Sequence, residues 1–454
     1  MSKNKILYKL VASLCVFDNN FKLNFTGLKL NINFNYFFLF FFYKNYLLVN
    51  IFGFTIFTIT VYMNFFFFEN FFTTFFIVSV DLSVNFFFFF NFIIMLICLY
   101  YTKQKKDNNN IKLYYFILIL ICFLNLMLFT TNNVYLYFFL YESIMLPSVL
   151  LTFLSSPNIR AKFISFYFLF WTQLGSFFFF VVTIYLFRNG VSKFTDTPVF
   201  NKQTFFILSF FLFFGFGIKI PVFPFHFWLT KTHVEVNTTF SIFLSGILVK
   251  IAIIGFYKFI FLFSINNFFY LSILLLGALD ITIKLFFQVD YKKVIAYCTI
   301  FEMNLLTLIV FFSNYYNVNF LFLMCILHTI FSTIFFLIND FIYRRYNTRN
   351  IYSISSILNN SPILGYLIII SVLFFNGLPL TLKFNLELVF FLKLYNFNFF
   401  IFFFIFFIQI IFLVSFSKIN LIILCNNCSF VKVNDLALYE FFLIIILFSF
   451  LLFL

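Results

Sequence analysis

Apolar residues run along this chain in blocks of about twenty, each closed by a short polar break, and a helix needs a block of that length to cross the hydrocarbon layer. The pattern predicts an all-α, polytopic membrane protein of about fourteen transmembrane helices. Their approximate centres fall at residues 43, 60, 90, 121, 144, 175, 215, 247, 277, 303, 328, 375, 405 and 445. The first two are the least separated, because residues 36–78 form one apolar block broken only by Lys44, Asn45, Asn50, Asn64, Glu69 and Asn70. Residues 1–35 read as an extramembrane N-terminal extension: Lys3, Lys5 and Lys9 are present, but no compact apolar core with a small-residue cleavage site follows them. Residues 36–454 read as one transmembrane domain, since no loop is long enough to hold a separate folded unit.

Alternate loops lie on alternate sides of a membrane, so the distribution of charge tests the order of spans. Loops after odd-numbered spans carry Lys103, Lys105, Lys106, Arg160, Lys162, Lys231, Lys292, Lys293, Arg344, Arg345, Arg349, Lys418 and Lys432. Loops after even-numbered spans are poor in charge, as at 130–133 and 313–319, with Arg188, Lys193, Lys202 and Lys258 as exceptions. The odd loops are therefore expected to face the compartment of synthesis and both termini the opposite side.

Composition agrees with a membrane protein. Hydrophobic residues make up 64% and charged residues 9%, too few charges to cover a water-facing surface. The 93 phenylalanines read as lipid-facing filler selected by an AT-rich organelle genome. The net charge of +15 is explained by loop lysines and arginines beside the spans rather than by nucleic-acid binding. Of the seven cysteines only Cys425 and Cys428 have a CxxC spacing, with no second pair or nearby histidine, so neither zinc nor an iron–sulfur cluster is expected.

An ionisable side chain inside a span is unfavourable by several kcal/mol unless it meets a partner or water, which makes each a candidate functional group. The candidates are Glu142 in the fifth span, Lys219 in the seventh, Lys250 in the eighth and Glu387 in the twelfth, joined by Asp280, Lys284, Glu302, His328 and Lys383. Pro221 and Pro224 follow Lys219 directly, and Asn376-Gly377-Leu378-Pro379 precedes Lys383 and Glu387, so the seventh and twelfth helices are predicted to break beside their charges. Burial favours a neutral lysine and a nearby carboxylate favours the ammonium, so a Glu–Lys pair can load and unload a proton. His226 and His233 lie where the seventh span exits and read as titratable or hydrogen-bonding groups, not metal ligands.

Three stretches carry a family resemblance. They are Phe216 to Glu235 with Leu248-Val249-Lys250, Tyr141-Glu142 to Pro147, and Gln288 to Tyr297, with Leu378-Pro379 and Asn385-Leu386-Glu387 agreeing as well. Over about residues 79–395 the chain resembles the chain 4 family of antiporter-like proton-pumping subunits of NADH:ubiquinone oxidoreductase, respiratory complex I. The resemblance implies fourteen helices with two inverted five-helix repeats, about 114–260 and 268–417, around a hydrophilic axis at mid-membrane, in the mitochondrial inner membrane. It makes Glu142 the modulator of the central Lys219, Lys250 the link along the axis, His328 a further axis member and Glu387 the outlet. Lys250 and Glu387 favour chain 4 over its sister chains 2 and 5, which would be neighbours along with lipids. Electrons would pass through NADH, FMN, iron–sulfur clusters and ubiquinone held elsewhere in the complex, with no cofactor in this chain. The chain departs from the family at Glu302-Met303, usually His-Met, at Val236-Asn237, usually Ala-Pro, and at Thr230, usually Pro. Glu302 is a possible substitute for the usual histidine. A cation/proton antiporter subunit of shared ancestry and a scaffold with static buried charges remain as competing readings.

Overall fold

The computed structural model describes residues 111–453 apart from 156–158, 195, 197–201, 261–267, 313–317, 355, 380 and 426–433. The expected N-terminal extension and the spans centred near 43, 60 and 90 lie outside the described residues. Helices follow one another as α1 (Ile111–Thr130), α2 (Val134–Ser155), α3 (Ile159–Arg188), α4 (Lys202–Lys219), α5 (Phe227–Glu235), α6 (Thr238–Phe243), a π turn (Leu244–Leu248) and α7 (Val249–Ile260). The second part contains α8 (Phe268–Phe286), α9 (Tyr291–Phe312), α10 (Val318–Tyr346), α11 (Ile357–Asn360), α12 (Pro362–Phe375), α13 (Leu382–Phe397), α14 (Phe399–Cys425) and α15 (Leu438–Phe453). Among the described residues there is no strand, only the isolated bridges Asn133–Lys193 and Asp290–Asn350. Each span centre from 121 onward falls inside one of these helical segments.

Seven segments among the described residues are long and apolar enough to cross a membrane: Val134–Leu154, Lys162–Arg188, Thr238–Ile260, Phe269–Phe286, Tyr291–Phe312, Phe320–Tyr346 and Phe399–Cys425. Burial sorts them. The most apolar window of Thr238–Ile260 is wholly buried and those of α9 and α10 are 94% buried, whereas the windows in α2, α3, α8 and α14 are 39% buried. The first three are therefore central, and the others present one face outward. On α3 the outward face is Phe163, Phe166, Phe170, Phe177 and Phe187, while Phe168 and Phe179 turn inward. This three-to-four-residue recurrence is the helical period of a surface turned to lipid or a neighbouring subunit.

Both predicted breaks are present. α4 ends at Lys219, and residues 220–226 form turns before α5. Pro221 and Pro224 have no N–H to continue the ladder. Val222 N donates to Gly217 O at 2.8 Å instead of to Ile218 O, and the Trp228 indole N–H takes the carbonyl of Ile218 at 2.8 Å. The indole thus satisfies a carbonyl that the break would leave exposed in an apolar interior. In the twelfth span the chain leaves α12 through Gly377, at φ +72°, and re-enters helix at Thr381, whose hydroxyl accepts from Phe384 N at 3.3 Å.

α3 and α4 pack closely because glycines meet at their crossing. A Cβ on Gly175 would lie 2.9 Å from Gly215 O and 3.4 Å from Lys219 Cγ. Gly175→Ala is expected to force the two backbones apart and to lower stability by about 1–3 kcal/mol. Thermal unfolding of the detergent-extracted protein checks this, and an unchanged midpoint would refute the tight crossing.

Several cations assigned to loops by their sequence positions do other work. Lys292 lies in the first turn of α9, is buried, and donates to Val236 O at 2.5 Å; Arg349 donates to Val234 O at 2.8 Å. Together they cap the carbonyl end of α5, where positive charge complements the helix dipole. Lys258 belongs to α7 and donates to Phe129 O and Thr131 O at 3.2 and 3.4 Å, capping α1. Arg345 pairs with Glu440 at 2.5 Å, which ties α15 to α10, and Asp435, just before α15, accepts from Ile363 N at 2.8 Å at the start of α12.

Candidate functional site

Glu142 comes from α2, two turns in, and Lys219 from the last residue of α4. The helix break brings the lysine to rest there, with its Nζ 3.1 Å from Glu142 Oε1 and 3.9 Å above the ring of Tyr141. The carboxylate and the ring both favour the ammonium in a place where water is scarce. The side chain of Lys219 is 2% exposed, whereas Glu142 is 22% exposed on the flank of the described bundle. A carboxylate on that flank, inside a span, requires cover from a neighbour or from water.

Lys250 opens α7 just after the π turn. A π turn widens the helix by one residue and frees backbone groups, a feature common at functional positions. Lys250 Nζ donates to Ser245 O and lies 2.5 Å from His328 Nδ1 on α10. Two bases this close can share one proton, as an ammonium donating to the imidazole or an imidazolium donating to the amine. This contact joins Lys250, the expected link along the axis, to the second half. No hydrogen bond links Lys219 to Lys250 among the described residues.

Beyond His328 lies a cavity lined by Glu302, Met324, Leu327, His328, Phe331, Phe375 and Lys383, with about 10 Å³ open to the centre of a water molecule. One water needs about that much. Across it Lys383 Nζ lies 2.7 Å from Glu302 Oε1, 3.5 Å from Glu387 Oε1 and 3.8 Å from the centre of the Phe375 ring. Glu387 Oε2 accepts from Gln409 Nε2 at 2.9 Å. Two carboxylates therefore share one ammonium, and the departure at Glu302 is matched by Lys383.

His226, Asp280 and Lys284 form a separate group. Asp280 Oδ2 lies 2.5 Å from Lys284 Nζ and 3.3 Å from His226 Nε2, and both charged side chains are 28% exposed. His233 is elsewhere, fully buried, stacked on Phe336 at 4.8 Å and subject to the charges of Lys292 and Lys250. The two histidines do not share a site, and no group of three or more potential metal ligands occurs among the described residues. Gln409 was missed by sequence reasoning, although an amide in the apolar run Phe399–Cys425, which holds one other at Asn420, is a detectable signal.

The axis thus has two parts: Glu142–Lys219, and Lys250–His328 leading across a cavity to Glu302, Lys383, Glu387 and Gln409. Residues 131–413, which hold every one of these groups, match the family described as NADH:quinone oxidoreductase/Mrp antiporter, TM. The chain is 38% identical over 302 residues to NADH-ubiquinone oxidoreductase chain 4 of Paramecium tetraurelia, covering 65% of this chain and 62% of that one. It is 29% identical over 290 residues to the protein of the same name from Acanthamoeba castellanii, covering 62% and 58%. It spans about six tenths of the length of these relatives. Among solved structures, a chain of respiratory complex I from Thermus thermophilus with bound NADH has the same fold, with a TM-score of 0.72 at 19% identity over 82% of this chain and 80% of that one. A chain of the membrane-bound sulfane sulfur reductase, an archaeal respiratory membrane complex, superposes with a TM-score of 0.70 at 16% identity, over 81% and 78%. With the matched region spanning more than half its length, this chain belongs to the NADH:quinone oxidoreductase/Mrp antiporter transmembrane family.

Proposed function

We propose that this chain is the chain 4-type, proton-translocating membrane subunit of an NADH:ubiquinone oxidoreductase in the mitochondrial inner membrane. The observation that carries the reading is the buried axis from Glu142 to Gln409, whose charged groups sit at helix breaks in both halves. In this reading Lys219 is the central proton carrier, and Glu142 sets its load by moving toward or away from it. Lys250 and His328 pass one proton between them, and Glu302, Lys383 and Glu387 receive it at the second break. The span arrangement is fourteen helices with inverted repeats at about 114–260 and 268–417. The two breaks at matching places, after Lys219 and before Lys383, support it. Electron transfer would occur in other subunits, and this chain would hold no redox group. The partly exposed Glu142 suits a flank covered by a neighbouring antiporter-like subunit such as chain 2 or chain 5.

Glu142→Gln keeps the shape of the side chain and removes its charge. It is expected to leave assembly close to normal and to lower proton translocation per NADH oxidised, measured on membranes with the assembled complex quantified in parallel. Equal loss of both would contradict the modulating role. The family description also names an antiporter; transport that depends on sodium and proceeds without NADH oxidation would favour that second reading.

A further inference from the structure

Lys219 has a polar partner on one side and an unbroken stack of rings on another. The Tyr141 ring under its ammonium packs on Phe179 and Phe216 at 5.7 and 5.6 Å. These two rings lie 4.6 Å apart, and both reach Phe259, at 4.9 and 5.7 Å. Phe259 in turn contacts Phe194 at 4.9 Å and Tyr137 at 5.8 Å. Phe194 belongs to the loop after α3, whose neighbour Lys193 bridges to Asn133. The stack therefore runs from the buried lysine to the side of the membrane on which α1 ends and α2 begins. The hydroxyls of Tyr137 and Tyr141 are buried and make no hydrogen bond among the described residues, so they do not extend a proton wire through it. At the outer end stands a cation, Lys258, 5.4 Å from the Tyr137 ring and 5.7 Å from that of Phe194, held by the carbonyls of Phe129 and Thr131.

We infer that these rings, with Lys258 at their mouth, form a proton seal that closes Lys219 to the side of the membrane bearing Thr131 and Lys193. The inference rests on the proton-carrying role proposed for Lys219 and adds the sidedness of its exchange. A tightly packed aromatic constriction excludes the water through which protons hop, and the Lys258 side chain, held by two carbonyls, fills its entrance. A proton on Lys219 then has no short exit to that side and must travel along the axis. Core aromatic clusters are common, but this one has a lysine against its innermost ring and another at its far end, the positions a barrier between the two requires.

The test measures passive proton conductance of membranes carrying the assembled complex, without NADH, under an imposed pH gradient. Phe179→Ala combined with Phe259→Ala is expected to raise conductance about tenfold while NADH oxidation persists, and Phe259→Leu, which keeps the apolar bulk, to leave it unchanged. Adding Lys219→Met to the double variant is expected to bring conductance back toward the original value. Unchanged conductance in an assembled double variant would overturn the seal. So would a leak that survives Lys219→Met, because the rings would then not guard that lysine. If the double variant fails to assemble, Phe194→Ala in the surface loop is judged by the same criteria. Pumping by the Lys219→Met single variant is measured separately with NADH, so failure of the relay and failure of the seal give different results.

Discussion

Proton translocation is expected to stop when Lys219 is replaced by Met, in a chain that still assembles. Met fills most of the space of the lysine stem and keeps the contact with the Tyr141 ring, so packing at the end of α4 survives. What is lost is the buried lysine that, in the proposed reading, carries the proton at the first break. Removing one member of a fully buried ion pair destabilises by about 3–5 kcal/mol. Here the remaining carboxylate, Glu142, is 22% exposed and can take a proton or meet a polar neighbour, so the penalty is smaller and assembly is retained. Acidification or alkalinisation per NADH oxidised, with the complex quantified on native gels, reads the outcome. Normal pumping in a fully assembled complex would refute the relay and return the pair to the status of a static salt bridge.

Lys383→Met is expected to act on stability first. Lys383 is almost fully buried between Glu302 at 2.7 Å and Glu387 at 3.5 Å, and both carboxylates are themselves buried. Without the ammonium, Glu302 and Glu387 are left as two buried acidic groups with no cation between them, beside a space that holds about one water. Loss of a buried partner of this kind destabilises by about 3–5 kcal/mol, enough to deplete the chain from the membrane. The companion change Glu302→Leu removes one of the opposed carboxylates. Lys383→Met with Glu302→Leu is therefore expected to be more stable than Lys383→Met alone, a coupling measurable by thermal unfolding of the extracted protein. Additive losses in the double variant would show that Glu302 and Lys383 do not depend on each other.

The spans from residue 121 onward, the two breaks and the presence of ionisable groups inside spans were legible in the sequence because each rests on a local rule. A span needs length and apolarity, Pro221 removes a backbone donor wherever the helix lies, and a charge in an apolar run stands out whatever it meets. The pairings were not legible. Lys250 reaches His328 across 78 residues and Lys383 reaches Glu302 across 81, and helical periodicity does not say which faces will touch. Lys292 and Lys258 were read as loop charges because each lies near a helix end, where a long side chain can point to water or fold back onto a neighbour's carbonyls. Packing decides between the two, and packing is not local. The Phe-rich runs hid a division of labour in the same way: Phe179 and Phe259 line the interior, while Phe177 and Phe180 of the same run are exposed.

The capping of α5 bears on how the protein is made. The carbonyl end of this half-helix is completed by Lys292, which lies 56 residues beyond Val236, and by Arg349, which lies 115 residues beyond Val234. As the chain emerges from the ribosome, α5 must wait in the bilayer with its last carbonyls open until α9 and then the segment after α10 arrive. The outer wall of the first break is thus finished by the second half of the polypeptide. A nascent chain cut between α7 and α8 would carry Lys219 in its membrane but lack the two cations that close α5, so this buried lysine acquires its complete surroundings only after insertion has passed α10.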